Sequence, residues 1–332
     1  MTTPSHDAPA LVAGLDLGGT KILGVVTDPL APATVLFSHR VDTPRGADAL
    51  VAAMAAVVAE LGAEAARRGL PALAAVGVGV AGLVDRQGVL RFAPNLPSVI
   101  DLDVHEALVE ATGLPVAVDN DANVATLAEH RLGAGQQADD MVLVTLGTGI
   151  GGGVVAGGVL QRGAVGFAGE PGHMVVDPNG PPCPCGRRGC WERYASGSGL
   201  GRIARDAAHA GRADSIVALA GGDPESVRGE HVTRAAADGD AEALELMREF
   251  GWWVALGVSN LENLLDPGVI VIGGGLAEAG ELLLGPTREA YADLVLAHDH
   301  RPPARIVGAE LGADAGAIGA VLLGREMLVA VG

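Results

Sequence analysis

Two stretches decide how this chain is read: Leu15-Asp16-Leu17-Gly18-Gly19-Thr20-Lys21 near one end, and Leu146-Gly147-Thr148-Gly149-Ile150-Gly151-Gly152 at mid-chain. Each comes after an apolar run of strand character, residues 11–17 and 141–146, and each leads into another β-rich run, residues 21–27 and 153–159. Both therefore read as glycine turns between the strands of a hairpin. The echo predicts two similar lobes, each offering a loop to phosphate. Phosphate oxygens need several backbone N–H groups aimed at one spot, and glycine lets the backbone approach that closely. In the first loop Gly18 and Gly19 supply the backbone. Asp16 adds a carboxylate suited to Mg²⁺ through water, and Thr20 and Lys21 add a hydroxyl and an ammonium for the transferred group. In the second, Gly147, Thr148 and Gly149 do the corresponding work.

Two other readings of these glycines fail because neither loop opens a helix. Residues 14–21 nearly spell a P-loop, but Thr20 and Lys21 are in reversed order and a strand pattern stands where a helix is needed. Gly147, Gly149 and Gly152 fit GxGxxG, with Glu170 near the spacing of a ribose-binding acid. Val154-Val155 and Gly157-Gly158 then occupy the place of the required helix.

Outward from the turns, strand patterns at 35–41, 74–81, 116–118, 269–272 and 306–309 alternate with helical ones. The helical patterns cover 47–68, the residues after Asp121 (Val124, Leu127, Ala128, Leu132), 241–265, 279–296 and 313–329. That alternation defines an α/β class. Gly273-Gly274-Gly275 falls between a strand and a helix, where a helix N-terminus can meet a ligand; these three residues are expected to face the adenosine part of ATP. Asp119-Asn120-Asp121 lies where a strand becomes a helix. Asp and Asn there are ordinary helix caps, but the carboxyl end of a strand is also where α/β proteins put ligand-binding groups. Asp121 is the candidate base, with a pKa expected to be lowered by the helix dipole.

The chain has 332 residues, enough for about two domains of ~100–200 residues. Hydrophobic residues make up 49% and aromatics only 3%, so the cores must be built from Val, Leu, Ile and Ala. Net charge is −18, a sign that repels nucleic acid and anionic membranes. Residues 1–10 carry neither the basic nor the apolar region of a signal peptide. Residues 141–160 are uncharged but hold seven glycines, which is unlike a membrane helix. A cytoplasmic protein is expected, with no nucleic-acid or membrane partner.

All three cysteines, Cys183, Cys185 and Cys190, fall in one eight-residue window. That argues against a disulfide framework and for a metal site. With His173 they make three thiolates and one imidazole, the closed tetrahedral shell of structural Zn²⁺. The zinc would fix the loop carrying Glu170 and Glu192, two acids suited to sugar hydroxyls.

At these residues the chain resembles the ROK family of sugar kinases and repressors, and within it the bacterial ATP-dependent glucokinases. The resemblance runs from Asp16 to the last helix. It is carried most specifically by Glu170-Pro171-Gly172-His173 and by Cys183-Pro184-Cys185-Gly186-Arg187-Arg188-Gly189-Cys190-Trp191-Glu192. It implies an actin-like (ribonuclease H-like) two-lobed sugar kinase fold with a cleft between lobes. The expected small lobe is residues 1–122 plus about 311–332. The expected large lobe is 123–310, with the zinc loop at 173–190. It also implies transfer of the γ-phosphoryl group of ATP to the 6-hydroxyl of D-glucose, giving glucose 6-phosphate. Mannose, fructose, N-acetylmannosamine and N-acetylglucosamine are the alternative acceptors. Asp121 is implied as the base, and Gly82, Asn95, Asn120, Glu170, His173 and Glu192 as sugar contacts, with His173 also on the zinc. Homodimers or homotetramers are expected. A repressor of the family would need a helix-turn-helix ahead of the first loop, where fifteen residues stand before Asp16, and a charge suited to DNA.

Overall fold

The computed structural model describes residues 10–96 and 99–331. Residues 1–9 of the stretch read for a signal peptide, and Pro97 at the end of the Asn95 motif, lie outside them. The chain divides into two compact units. The first comprises Met1–Gly133, Arg162–Ala168 and Ala313–Gly332, and the second Ala134–Gln161 and Gly169–Gly312. The helix that opens at Asp121 thus belongs to the first unit, whereas the expected lobe boundary fell at 122.

The first unit is built on β1 (Leu11–Leu17), β2 (Lys21–Thr27), β3 (Val35–Asp42), α1 (Ala47–Arg67) and β4 (Leu73–Val80). A small sheet comes next, β5 (Leu83–Val84), β6 (Val89–Phe92) and β7 (Ile100–Asp103), then α2 (Val104–Thr112), β8 (Val116–Asn120) and α3 (Asp121–Leu132). The main sheet runs β3-β2-β1-β4-β8. β1 and β2 form the antiparallel hairpin around the first glycine turn, and β4 and β8 join in parallel. Leu17, Val80 and Asn120 are in register, so the carboxyl ends of β1, β4 and β8 share one edge. The small sheet and α2 have no counterpart among the patterns legible in the sequence.

Helix α1 is long and apolar enough by composition to cross a membrane. Its buried residues, Leu50, Met54, Val57, Val58, Leu61 and Ala65, instead recur at helical spacing on one face and join the core with Leu15, Ile22 and Val78. The other side of the main sheet is covered by the C-terminal helix. There Ala317 and Val321 pack on Val12, Leu23, Val25 and Ala75. The helix lies so close that a Cβ at Gly77 would overlap the Ala320 carbonyl. Glycine in mid-strand normally costs stability, and here it is what allows the approach.

The second unit repeats the plan. β9 (Met141–Leu146), β10 (Ile150–Ala156) and β11 (Val159–Leu160) come first. Helices α4 (Glu192–Ala195), α5 (Gly197–His209), α6 (Asp214–Leu219), α7 (Gly229–Ala237) and α8 (Ala241–Leu265) succeed them. Then come β12 (Val269–Gly273), α9 (Glu281–Leu294) and β13 (Arg305–Gly308), and the chain returns to the first unit in α10 (Ala315–Val331). The sheet order β11-β10-β9-β12-β13 matches the first, again with two antiparallel pairings followed by two parallel ones. β10 begins at Ile150, three residues earlier than the expected 153, because glycines 151–153 pair with Leu143–Thr145 rather than forming the turn. This unit has its own core, including Val144, Trp191, Phe250, Val258 and Ile272.

Candidate active site

In the first unit the shared strand edge gathers the predicted acids. Asn120 closes β8 and caps α3: its Oδ1 accepts from the Ala122 and Asn123 N–H groups at 2.8 and 3.0 Å. Its Nδ2 donates to the Gly82 carbonyl at 3.0 Å. One side chain thus sets the helix start and ties it to the turn after β4. Asp121 is the first residue of α3, and its Oδ1 also accepts from Ala122 N–H, at 2.9 Å. The expected lowering of the Asp121 pKa is reversed. Its proton affinity is raised, because burial disfavours the charge by more than the local hydrogen bonds favour it. The side chain is half-buried by surface exposure, and the dense protein around it dominates.

Asp16 is the penultimate residue of β1, at the same edge. Its pKa is raised to about 6, mainly by burial, then by the Asp121 carboxylate, against the opposing pull of the Lys21 ammonium. Mutual repulsion places the two acids in one electrostatic neighbourhood. The first turn of α10 touches it too, since a side chain at Gly316 would press on the Asp16 carboxylate. The turn between β1 and β2 closes with Gly18 N–H donating to the Lys21 carbonyl at 3.0 Å. Thr43 braces it: its hydroxyl donates to the Gly18 carbonyl at 2.7 Å and its N–H to the Thr20 carbonyl at 3.0 Å. Asn95 packs beside Gly19. Asp16, Gly18, Gly19, Thr20, Lys21, Gly82, Asn95, Asn120 and Asp121 are therefore elements of one edge. Thr43 carries no signal in the sequence, as it lies in a plain strand-to-helix connection.

In the second unit the Gly147–Gly149 turn closes with Gly147 N–H on the Gly149 carbonyl at 3.0 Å. It is held by the start of α5: Gly197 N–H donates to the Gly147 carbonyl at 2.8 Å, and the Ser198 hydroxyl to the Thr148 carbonyl at 2.8 Å. Ser196 caps that helix through Gly199 N–H. A serine before an apolar-periodic run is the available signal for α5. Gly273–Gly275 closes β12 beside the Leu146 backbone. A 3₁₀ turn, Gly275–Ala279, separates these glycines from α9, so they do not sit directly on its N-terminus, contrary to the expectation from sequence.

The metal-ligand candidates converge. Ligand atoms of His173, Cys183, Cys185 and Cys190 lie within 4.8 Å of one another. Cys185 Sγ is 3.5 Å from Cys190 Sγ, and Cys183 Sγ is 3.9 Å from His173 Nδ1. The sulfurs are too far apart for disulfides. Metal–ligand bonds of ~2.0–2.3 Å in a tetrahedron require edges of this size, so the donor set fits Zn²⁺. The loop is locally determined. Gly186 N–H meets the Cys183 carbonyl at 3.0 Å, and Trp191 N–H meets the Met174 carbonyl at 2.7 Å. Trp191 is fully buried, with its indole N–H on the Trp253 carbonyl at 2.7 Å. Glu192 opens α4 with Oε1 2.9 Å from Cys183 Sγ and 3.8 Å from His173 Nδ1. Glu170 leads into the 3₁₀ turn Pro171–His173. His173 and Glu192 are thus neighbours at the metal cluster.

Two sheets of one order, each with a glycine turn after its first strand, together with a Cys₃His cluster, define the actin-like α/β fold of sugar kinases. Residues 12–327 match the ROK family, and the chain belongs to that family. A glucokinase of Streptomyces coelicolor is 40% identical over 319 residues, 95% of this chain and 98% of that protein. Among solved structures, a ROK family glucokinase from Streptomyces griseus in complex with glucose and AMPPNP superposes with a TM-score of 0.85. It is 39% identical, covering 96% of this chain and all of that one, 100%. The ROK hexokinase from Thermus thermophilus gives 0.74 at 38% identity, over 97% and 100% of the two chains.

Proposed function

We propose that this protein is an ATP-dependent glucokinase, transferring the γ-phosphoryl group of ATP to the 6-hydroxyl of D-glucose. The observation that carries the reading is Asp121. It is a carboxylate at the carboxyl end of the parallel strands β1, β4 and β8 of a mixed sheet, with its proton affinity raised by burial and Asp16 in its field. The relatives named glucokinase, aligned over nearly the whole chain, support the same activity.

In this reading Asp121 accepts the 6-hydroxyl proton as that oxygen attacks phosphorus. Its raised proton affinity makes it a better proton acceptor than a free aspartate. The loose transition state depends mostly on position and charge neutralisation. Asn120, already fixed by its cap, offers an amide to the sugar beside Asp121. Glu170, His173 and Glu192 take sugar hydroxyls, with Gly82 and Asn95 as further contacts. With His173 Nδ1 turned to the cysteines, its Nε2–H is left to donate a hydrogen bond to a sugar hydroxyl. The Gly18–Lys21 and Gly147–Gly149 turns present N–H groups to phosphate, and Gly273–Gly275 faces the adenosine. Mg²⁺ bound with ATP would supply charge neutralisation, and Asp16 would hold it through water. Zinc would be structural, held by His173, Cys183, Cys185 and Cys190. A cytoplasmic location and a homodimer or homotetramer belong to the same proposal.

The test is ADP release measured across glucose, mannose, fructose, N-acetylmannosamine and N-acetylglucosamine, with wild type and Asp121→Asn. Glucose is expected to be the best acceptor. The variant is expected to lose at least about 10²-fold in turnover while still binding glucose. Turnover on none of these sugars ends the proposal; undiminished turnover of the variant removes Asp121 from the role of base.

A further inference from the structure

The residue before Asn120 has an arrangement that helix capping does not require. Asp119 is buried, and its carboxylate is a three-way junction. Oδ1 accepts from the Asn120 N–H at 2.8 Å and from Asn123 Nδ2 at 2.8 Å. Oδ2 accepts from Arg162 Nε at 2.5 Å. The first two bonds reach one residue before and two residues beyond Asp121, so they hold the turn that aims it. The third comes from 43 residues away in sequence.

Arg162 belongs to the short segment Arg162–Ala168, in which the chain leaves the second unit, joins the first, and returns at Gly169, immediately before Glu170. That segment is pinned to the first unit at several points. Arg86 donates its Nε to the Gly163 carbonyl at 2.9 Å and its N–H to the Val165 carbonyl at 3.1 Å. Gly166, at φ +112°, lies so close that a Cβ there would stand 2.6 Å from the Val84 carbonyl oxygen. The segment's path is therefore fixed, and with it the position of the guanidinium that reaches Asp119.

We propose that Arg162 is a positioning residue for the phosphoryl-transfer step: by holding the Asp119 carboxylate it fixes the Asn120–Asp121 turn in the orientation that points the Asp121 carboxylate at the acceptor hydroxyl. The inference rests on the glucokinase reading of Asp121. A buried carboxylate that loses its guanidinium partner must rotate, recruit water or take up a proton. Each outcome loosens the two hydrogen bonds to the turn. Misplacing a catalytic group by about 1 Å costs on the order of 10²-fold in rate. The nucleotide contacts proposed on the glycine turns do not involve this pair.

The experiment is steady-state kinetics of Arg162→Ala, Arg162→Lys and Asp119→Asn, each read beside its melting curve and beside Asp121→Asn. For Arg162→Ala, kcat is expected to fall by about 10–100-fold with the KM for ATP within about twofold of wild type. Arg162→Lys, which keeps the charge and one donor, is expected to recover most of that loss. A folded Arg162→Ala protein with kcat within about twofold of wild type overturns the proposal; so does equal loss in the alanine and lysine variants. If Arg162→Ala does not fold, Asp119→Asn decides. It can keep both Oδ1 bonds, but the Nδ2 that replaces Oδ2 cannot accept from Arg162 Nε–H, so the guanidinium loses its partner; unaltered kcat in it overturns the proposal. If Asp121→Asn is dead while the Arg162 variants turn over normally, this inference alone falls. If Asp121→Asn itself is active, the glucokinase reading of Asp121 falls and takes this inference with it.

Discussion

Asp16 carries a stability cost that its proposed work explains. Its folded pKa of about 6 lies above the unperturbed 3.8, so the folded state binds a proton more tightly than the unfolded chain does. The stabilisation linked to that proton is complete below about pH 4 and is lost as pH rises through about 6. At neutral pH the ligand-free protein thus holds a buried carboxylate that resists ionisation, and a second, Asp121, nearby. Asp16→Asn removes the titrating charge at nearly constant volume. In urea melts of the ligand-free protein, the variant is expected to match wild type near pH 4. By about pH 8 it is expected to be more stable by roughly 1–3 kcal/mol, while losing Mg²⁺-ATP-dependent turnover. Equal stability at the higher pH would show that Asp16 is not strained as described. The residue scale is also where the sequence is least legible. Asp121 at a helix start announces a dipole that lowers its pKa, and that much is visible in local sequence. The burial that reverses the sign is contributed by residues distant along the chain, and no local pattern encodes it. Arg162 is similar, an arginine after a short strand whose partner lies 43 residues earlier.

Among the elements, the metal loop is the one whose geometry is most completely legible in the sequence. Cysteine spacing and turn glycines fix it within residues 173–190, so its ligands converge as expected. The small β5–β7 sheet and helices α5–α7 escape for the opposite reason. β5 is two residues long, too short for a period to show, and α5 opens on Gly-Ser-Gly, residues that ordinarily mark a loop and mask the apolar face that follows. The loop gives a sharp prediction. Without metal, burial pushes the Cys183 thiol's pKa well up and raises that of Cys190, which disfavours the charged form of two of the three sulfurs when no cation is there to hold it. Metal analysis is expected to find about one zinc per chain. Its removal by chelator, or Cys190→Ser, is expected to lower the melting temperature and to raise the KM for glucose more than that for ATP, because His173 and Glu192 share the cluster. Active protein free of zinc, or a chelated protein with unchanged glucose KM, would contradict this.

For the molecule as a whole, chain order matters as much as composition. The first unit is discontinuous in sequence, and α10, the last helix, completes it. Its Ala317 and Val321 cover Val12, Leu23, Val25 and Ala75, and its backbone lies directly on Gly77. Each aliphatic side chain uncovered from such a face costs about 1.5–3 kcal/mol, against a total stability of about 5–15 kcal/mol for an ordinary domain. Ending the chain after Gly312 is therefore expected to leave the first unit unfolded, Asp16 and Asp121 included. The second unit keeps its own core around Phe250, Val258 and Ile272. Limited proteolysis of the truncated chain is expected to yield a resistant fragment lying within residues 134–312, with rapid cleavage in β1 to α3. A truncated chain that melts like the full-length protein would mean that the face under α10 is stable without its cover. The same logic sets the order of folding. The sheet bearing the proposed base cannot bury both faces until the last twenty residues, distant in sequence, have packed on it, so slow, late structuring of that sheet is expected beside earlier formation of the second. Hydrogen exchange pulsed during refolding would read this directly, as protection in β9 and β12 ahead of β1 and β4.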